Sequence, residues 1–260
     1  MARASEGGLE PIEARRLGLP WSPELVLRAC AATAGTVMAA LAAVRHGVAG
    51  NLAGGSHHAH RDRAGAYCLF NDIGVAIGVL RSRRLASRPF VLDLDVHQGD
   101  GTAAMFADDP SVFTFSIHAS ANYPARKERG SLDIELADRC DDEEYLAMLD
   151  RNGPASLDAH EPNLVFYQAG VDGLAEDRLG RLALTHAGLA ARDERVFAWC
   201  EERRLPVVVT LGGGYAEPLA ASVAAHVGVW RAARGARDRR PPVHDVAPFD
   251  HAVDASAHGA

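Results

Sequence analysis

Five short apolar runs, at 48–52, 90–94, 112–117, 164–169 and 207–211, alternate with longer stretches whose apolar residues recur at helical spacing. That alternation restricts the chain to an α/β architecture. Strands joined through helices must run parallel in an open sheet with helices on both faces, because a parallel pair needs a long crossover. The run at 90–94 is apolar on both sides, as a central parallel strand requires. Helix starts are equally legible. Ser22-Pro23 opens a helix to about 44, since Ser caps well and Pro suits the first helical position. Further helical patterns cover 71–80, 187–203 and 219–231. The acidic run Asp141-Asp142-Glu143-Glu144 places negative charge where a helix towards 157 begins, so it reads as a helix start and not as a metal site.

The chain has 260 residues, 48% of them hydrophobic, enough for one sizeable core and a single domain. That domain is expected at 21–232, between an irregular amino-terminal segment, 1–20, and a disordered tail, 233–260, dominated by Arg, Pro, Asp, His and Ala. A net charge of −7 argues against a nucleic-acid surface and leaves cationic small molecules or peptides as partners. Cys30, Cys68, Cys140 and Cys200 form no C-x-x-C pair, which fits reduced thiols in a cytoplasmic protein. The apolar stretch 29–44 lacks a basic segment before it and falls short of the ~20 residues that span a bilayer, so it is expected as a buried helix with no role at a membrane. Lys127 is the only lysine, and Ala is abundant, a usage typical of high-GC bacterial genomes.

Chemistry gathers just after the strands. In an open parallel sheet, ligands collect beyond the carboxyl ends, so clusters that are distant in sequence can share one crevice. His57-His58, the group Asp93, Asp95, His97 and Asp100, then Ser116 and His118, Asp172, and Tyr215 all lie at such ends. Two carboxylates closing an apolar strand need compensation, which a divalent cation supplies. Asp95 and His97 are two apart and project to one side, and Asp172 offers a third ligand, leaving a position for water and substrate as in a catalytic zinc site. With Asp93 and Asp100, the two histidines can form Asp–His dyads that act as base and acid. Three glycines before Tyr215 let its phenol lean towards an oxyanion.

The motifs GGSHHA at 54–59, AYCLFND at 66–72, DLDVHQGDGT at 93–102, FSIH at 115–118, AGVDGLAEDRLGRLALT at 169–185 and LGGGYA at 211–216 resemble those of zinc-dependent histone deacetylases. The chain is most similar to their class IV branch and its bacterial relatives. The resemblance implies the arginase/deacetylase fold and an amidohydrolase that removes acyl groups from lysine in a protein or peptide. Small acylated amines such as acetylpolyamines are the alternative substrates. It implies Asp95, His97 and Asp172 as ligands of Zn2+, with Fe2+ the alternative occupant. His58 matches the general base, His57 its neighbour, and Asp93 and Asp100 the carboxylates behind His57 and His58. Tyr215 matches the phenol that polarises the carbonyl, and Tyr67 and Gly213 match residues lining the substrate channel. A potassium site is implied around Asp93, Asp95, His97, Ser116 and Ile117.

Two departures follow from the same resemblance. Ala66 and Tyr67 stand where the family usually has Gly and Phe, and the family usually has one or two βα units before Ala14. A sheet shortened at that end is expected to self-associate into a homo-oligomer or to leave a truncated, inactive acyl-lysine-binding protein. A binuclear ureohydrolase on the same fold would need further ligands where Gly99 and Leu174 stand.

Overall fold

The helices that open at Pro23, Asp72, Asp142 and His186 each begin where a short polar side chain takes up a free backbone N–H. Ser22 accepts from Leu25 N at 3.1 Å, Asn71 from Gly74 N at 2.8 Å, Asp141 from Glu144 N at 3.1 Å and Thr185 from Gly188 N at 3.0 Å. The computed structural model describes residue 4 and residues 6–239. In chain order the elements used below are α1 (Pro11–Leu17), α2 (Pro23–His46), β1 (Val48–Asn51), α3 (Asp72–Ser82), β2 (Pro89–Asp93), α4 (Asp100–Phe106), β3 (Phe113–Ala119), β4 (Leu132–Leu136), α5 (Asp142–His160), β5 (Leu164–Gln168), α6 (His186–Glu202), β6 (Val207–Thr210) and α7 (Leu219–Arg239).

The strands form one sheet in the order β1-β6-β5-β2-β3-β4, with every pairing parallel. Side chains alternate between its faces. Phe90, Leu92, Val165, Tyr167, Val207 and Val209 join the core that α5, α6 and α7 cover. Val91, Leu164, Phe166 and Val208 join the one that α2, α3 and α4 cover. From β2 the chain proceeds to β3, and from β5 it proceeds to β6 on the opposite side. The crevice between the carboxyl ends of β2 and β5 is therefore a topological switch point.

Five expectations need correction. The segment 1–20 is not irregular throughout. Glu10 and Glu13 form a reciprocal capping box on α1, Pro11 lies in its first turn, and Gly18 ends it at φ 70°. Leu17 packs with Val26, Ala64 and Leu69 in a small third core. Residues 233–239 are not tail, because α7 runs to Arg239 with Ala233 and Ala236 buried against the main core. Residues 240–260 lie outside the described residues. Helix α2 is only partly buried. Ala39, Ala40 and Ala43 face the core, while Leu27 and Met38 are 71% and 69% exposed. By length and composition alone its 24 residues suffice to cross a membrane. Two elements had not been anticipated: α4, a bare two turns, and β4, a half-exposed edge strand.

Candidate active site

The loop after β1 is fixed from below before it delivers any chemistry. Asp72, at the start of α3, accepts from Gly55 N at 2.9 Å and Ser56 N at 2.7 Å, and Thr36 donates to the same carboxylate. His57 and His58 follow, both nearly buried. His57 Nδ1 lies 2.8 Å from Asp93 Oδ2, and His58 Nδ1 lies 2.6 Å from Asp100 Oδ1. The two dyads therefore pair as the resemblance implies. Their Nε2 atoms approach to 3.1 Å. Burial alone would lower both histidines. Around His57, the Asp93 and Asp95 charges outweigh it and raise the imidazole to about 9. His58 is pushed down to about 4 by burial and by His57, against the pull of Asp100. The two adjacent imidazoles are thus shifted in opposite directions by their surroundings.

Asp95, His97 and Asp172 meet at the switch point, with one donor atom from each within 4.8 Å of the others. His97 Nδ1 is 3.1 Å from both Asp95 Oδ1 and Asp172 Oδ2. Burial and the charge of Asp95 push Asp172 up to about 7. Burial would raise Asp95 too, but His57, His97 and the Gly213 N–H hold it well below the usual carboxylate range. Burial would lower His97, whereas its bonds to Asp172 and Asp95 raise it to about 10. Two buried carboxylates and one imidazole converging this closely fit a divalent cation such as zinc. Asp95 Oδ2 also accepts from Gly213 N at 2.7 Å, and a Cβ at 213 would overlap Asp172 Oδ2, so the backbone here must come close and carry no side chain.

Both groups open into one cavity of about 750 Å³. Tyr215 lines it, 42% exposed, and its phenol is raised by burial and by the Asp95 and Asp172 charges, so it stays protonated beside the carboxylate cluster. Tyr67 also lines the cavity, at φ 67°, held by a hydrogen bond from its N–H to Leu17 O at 2.8 Å. Cys68 also faces the cavity. Burial pushes its thiol up to about 12, which disqualifies it as a nucleophile.

Asp93, Asp100, Ser116 and His118 lie behind the cavity wall and do not line it. Ser116 pairs in register with Asp93 across β3 and β2, and its Oγ is 2.9 Å from His118 Nδ1. His118 belongs to the strand core and not to the crevice in which the sequence reading had placed it.

Sequence reasoning missed four contributors. Tyr123 stands edge-on to His58, with ring centroids 4.9 Å apart. His60 Nε2 lies 3.1 Å from Asp100 Oδ2. Asn122 Nδ2 lies 3.3 Å from His97 Nε2 and donates to Leu179 O at 2.6 Å. Arg192, wholly buried on α6, donates to Gly170 O at 2.6 Å and Leu94 O at 3.2 Å, tying together the loops that bear Asp172 and Asp95. Its charge is met by Asp193 at 2.9 Å, which also accepts from the Tyr167 hydroxyl. An Arg-Asp pair inside an amphipathic helix was the only signal in the sequence.

Comparison with known proteins agrees with this geometry. The family model described as histone deacetylase domain matches residues 5–230. The chain belongs to the histone deacetylase family. An uncharacterised protein of Picosynechococcus sp. is 45% identical over 229 residues, 88% of this chain and 76% of its own length. Histone deacetylase 2 of Arabidopsis thaliana is 35% identical over 193 residues, 73% of this chain and 50% of its own. A probable deacetylase of Methanothermobacter thermautotrophicus is 33% identical over 211 residues, 75% and 61% respectively. This histone deacetylase family chain therefore spans between half and about three fifths of the length of those two named relatives. Its parallel sheet, with the carboxylate and histidine clusters at the switch point, is the α/β fold expected from the sequence.

Proposed function

We propose that this chain hydrolyses N-acyl amides, with an acyl-lysine side chain in a protein or peptide as substrate. The observation that carries the reading is the meeting, in one cavity, of the Asp95–His97–Asp172 cluster, two carboxylate-backed histidines and a protonated phenol. Asp95, His97 and Asp172 would hold zinc, which supplies a Lewis acid for the carbonyl and lowers the pKa of water. His58, neutral and oriented by Asp100, takes a proton from the attacking water at Nε2. Tyr215 donates its hydroxyl hydrogen bond to the oxygen of the tetrahedral intermediate, and His57, held by Asp93, stands beside His58. As the C–N bond breaks, His58 returns the proton to the departing amine, leaving a free carboxylic acid and lysine.

The intact dyads speak against an inactive binding protein. Leu174 is buried and Gly99 is packed against Asp93, so neither place offers ligands for the second metal of a ureohydrolase. The potassium site proposed among Asp93, Asp95, His97, Ser116 and Ile117 draws support from the Asp93–Ser116 pairing.

Replacing Tyr215 with Phe tests the chemistry, because the phenol is assigned to charge that develops only in the transition state. The expected result is a fall in kcat of ~10²–10³ with zinc content unchanged. Hydrolysis of acetyl-lysine at the parental rate would reassign Tyr215 to packing.

A further inference from the structure

The mouth of the cavity carries the opposite charge from its floor. Arg15 and Arg16 from the last turn of α1, Arg28 from α2 and Arg181 from the loop after Asp172 all line it, and all are exposed. Arg181 is paired with Asp138 at 2.8 Å. Arg15, Arg16 and Arg28 have no carboxylate partner among the described residues. Asp95 and Asp172, buried at the floor, are the only acidic residues among the described residues lining the cavity, and a divalent cation would neutralise them. Among the described residues, a chain of net charge −7 therefore presents guanidinium groups without carboxylate partners where its substrate would enter.

These arginines are held in place. Arg16 O accepts from Ala66 N at 2.9 Å and Leu17 O from Tyr67 N at 2.8 Å, so the arginine-bearing turn is fastened to the loop that supplies Tyr67. On α2, Arg28 shares one helix face with Leu25, Ala29 and Ala32, all of which line the same wall. The face is apolar along its length and cationic at one point. Guanidinium groups match carboxylate and phosphate in planar, two-point geometry.

We infer that the cavity selects acyl-lysine substrates whose neighbouring residues carry carboxylate or phosphate, and disfavours lysine-rich segments and acetylpolyamines. This rests on the deacylase reading for its substrate. With the carbonyl at the floor between His58 and Tyr215, the parts of the substrate that reach the mouth lie on the amine side, where the arginines stand.

The test uses labelled acetyl-lysine peptides of one length, flanked by Asp, phosphoserine, Gln or Lys. Binding to zinc-loaded protein is read by fluorescence anisotropy and hydrolysis by mass spectrometry. The Asp peptide is expected to bind on the order of tenfold tighter than the Lys peptide, since three solvated charge pairs each contribute a factor of about two to five and do not add fully. The phosphoserine arm separates phosphate from carboxylate as the preferred anion. The gap is expected to narrow as salt shortens the screening length, and to invert in Arg15→Glu/Arg16→Glu/Arg28→Glu. Should the triple variant fail to fold, the milder Arg28→Gln and the salt series decide, both by a reduced gap. Equal affinity for the Asp and Lys peptides, or a preference indifferent to salt and to these substitutions, overturns the inference. Preferential binding of the Asp peptide with no hydrolysis of any peptide upholds the selectivity and sinks the deacylase reading instead.

Discussion

At the floor of the cavity ionisable groups hold one another, His57 with Asp93, His58 with Asp100 and His97 with two carboxylates, whereas at the mouth Arg15, Arg16 and Arg28 stand in solvent on α1 and the start of α2. The floor is made by strand ends and supported by the main sheet. The mouth rests on a small core of its own, around Leu17, Val26 and Leu69. Helix α2 enters both cores, so only α1 and the first turns of α2 can respond separately from the floor.

Removing a floor ligand is the most severe test. Asp172→Ala leaves Asp95 and His97, too few donors to hold a divalent cation against water, so bound zinc should fall to background by elemental analysis. Full zinc occupancy in this variant would dissolve the proposed cluster. Next in size is Arg192→Met, which strands Asp193 as an unpaired buried charge beneath the floor. It should cost about 3–5 kcal/mol of stability in denaturant titration. A cost below ~1 kcal/mol, the range of an exposed pair, would show that the loops bearing Asp95 and Asp172 do not depend on that guanidinium.

Leu17→Ala addresses the mouth. Deleting the side chain at this buried site should cost about 2–3 kcal/mol of local docking. Amide exchange should quicken in α1 and around Tyr67 while zinc content stays at the parental level. Equal quickening in β2 and β5 would mean that the two regions are one cooperative unit and the comparison is false.

The smallest effect calibrates both. Asp109, bonded to Arg81 Nη1 at 2.6 Å, is lowered to about 2 by that bond, at a site a third exposed. A depressed carboxylate stabilises the fold above its unfolded pKa of about 4, and that contribution is lost as pH falls through about 2. Solvent screening limits it to about 0.5 kcal/mol. Asp109→Asn should therefore be less stable than the parent by that amount at neutral pH and equal to it below about pH 2, as thermal melts across pH would register.

The floor was far more legible in sequence than the mouth, for physical reasons. A buried strand must be apolar, so Asp93, Asp95 and His97 at the end of such a run are conspicuous. The caps Ser22, Asn71, Asp141 and Thr185 mark helix starts because the first turn always needs acceptors. Exposed elements carry no such obligation. Strand β4 alternates Leu132-Asp133-Ile134-Glu135-Leu136, a period-two signal that was present but hidden by its half-solvated edge position. In α1 the markers Pro11 and Gly18 were present without an apolar period to join them, because a two-turn helix needs only Leu17 inside. Gly235 and the surrounding arginines made the end of α7 look like tail, although Ala233 and Ala236 sat at core spacing. Asn122 and Arg192 act through backbone carbonyls of distant loops, and a partner of that kind leaves no pattern in the chain.

The order of the strands also governs when the sheet can close during synthesis. Among the described strands, β1 pairs with β6 alone, and β5 enters between β2 and β6. As the chain leaves the ribosome, β1 must wait for the last strand before it gains a strand partner, while the His57–His58 loop behind it already has Asp72 of α3 to hold it. Until then β2, β3 and β4 can assemble, but β1, the strand before the paired histidines, cannot join the sheet. Long-range pairing of this kind slows folding and exposes apolar surface to other nascent chains. A ribosome stalled between β5 and β6 would hold both carboxylate-bearing strands while β1 still lacked a strand partner.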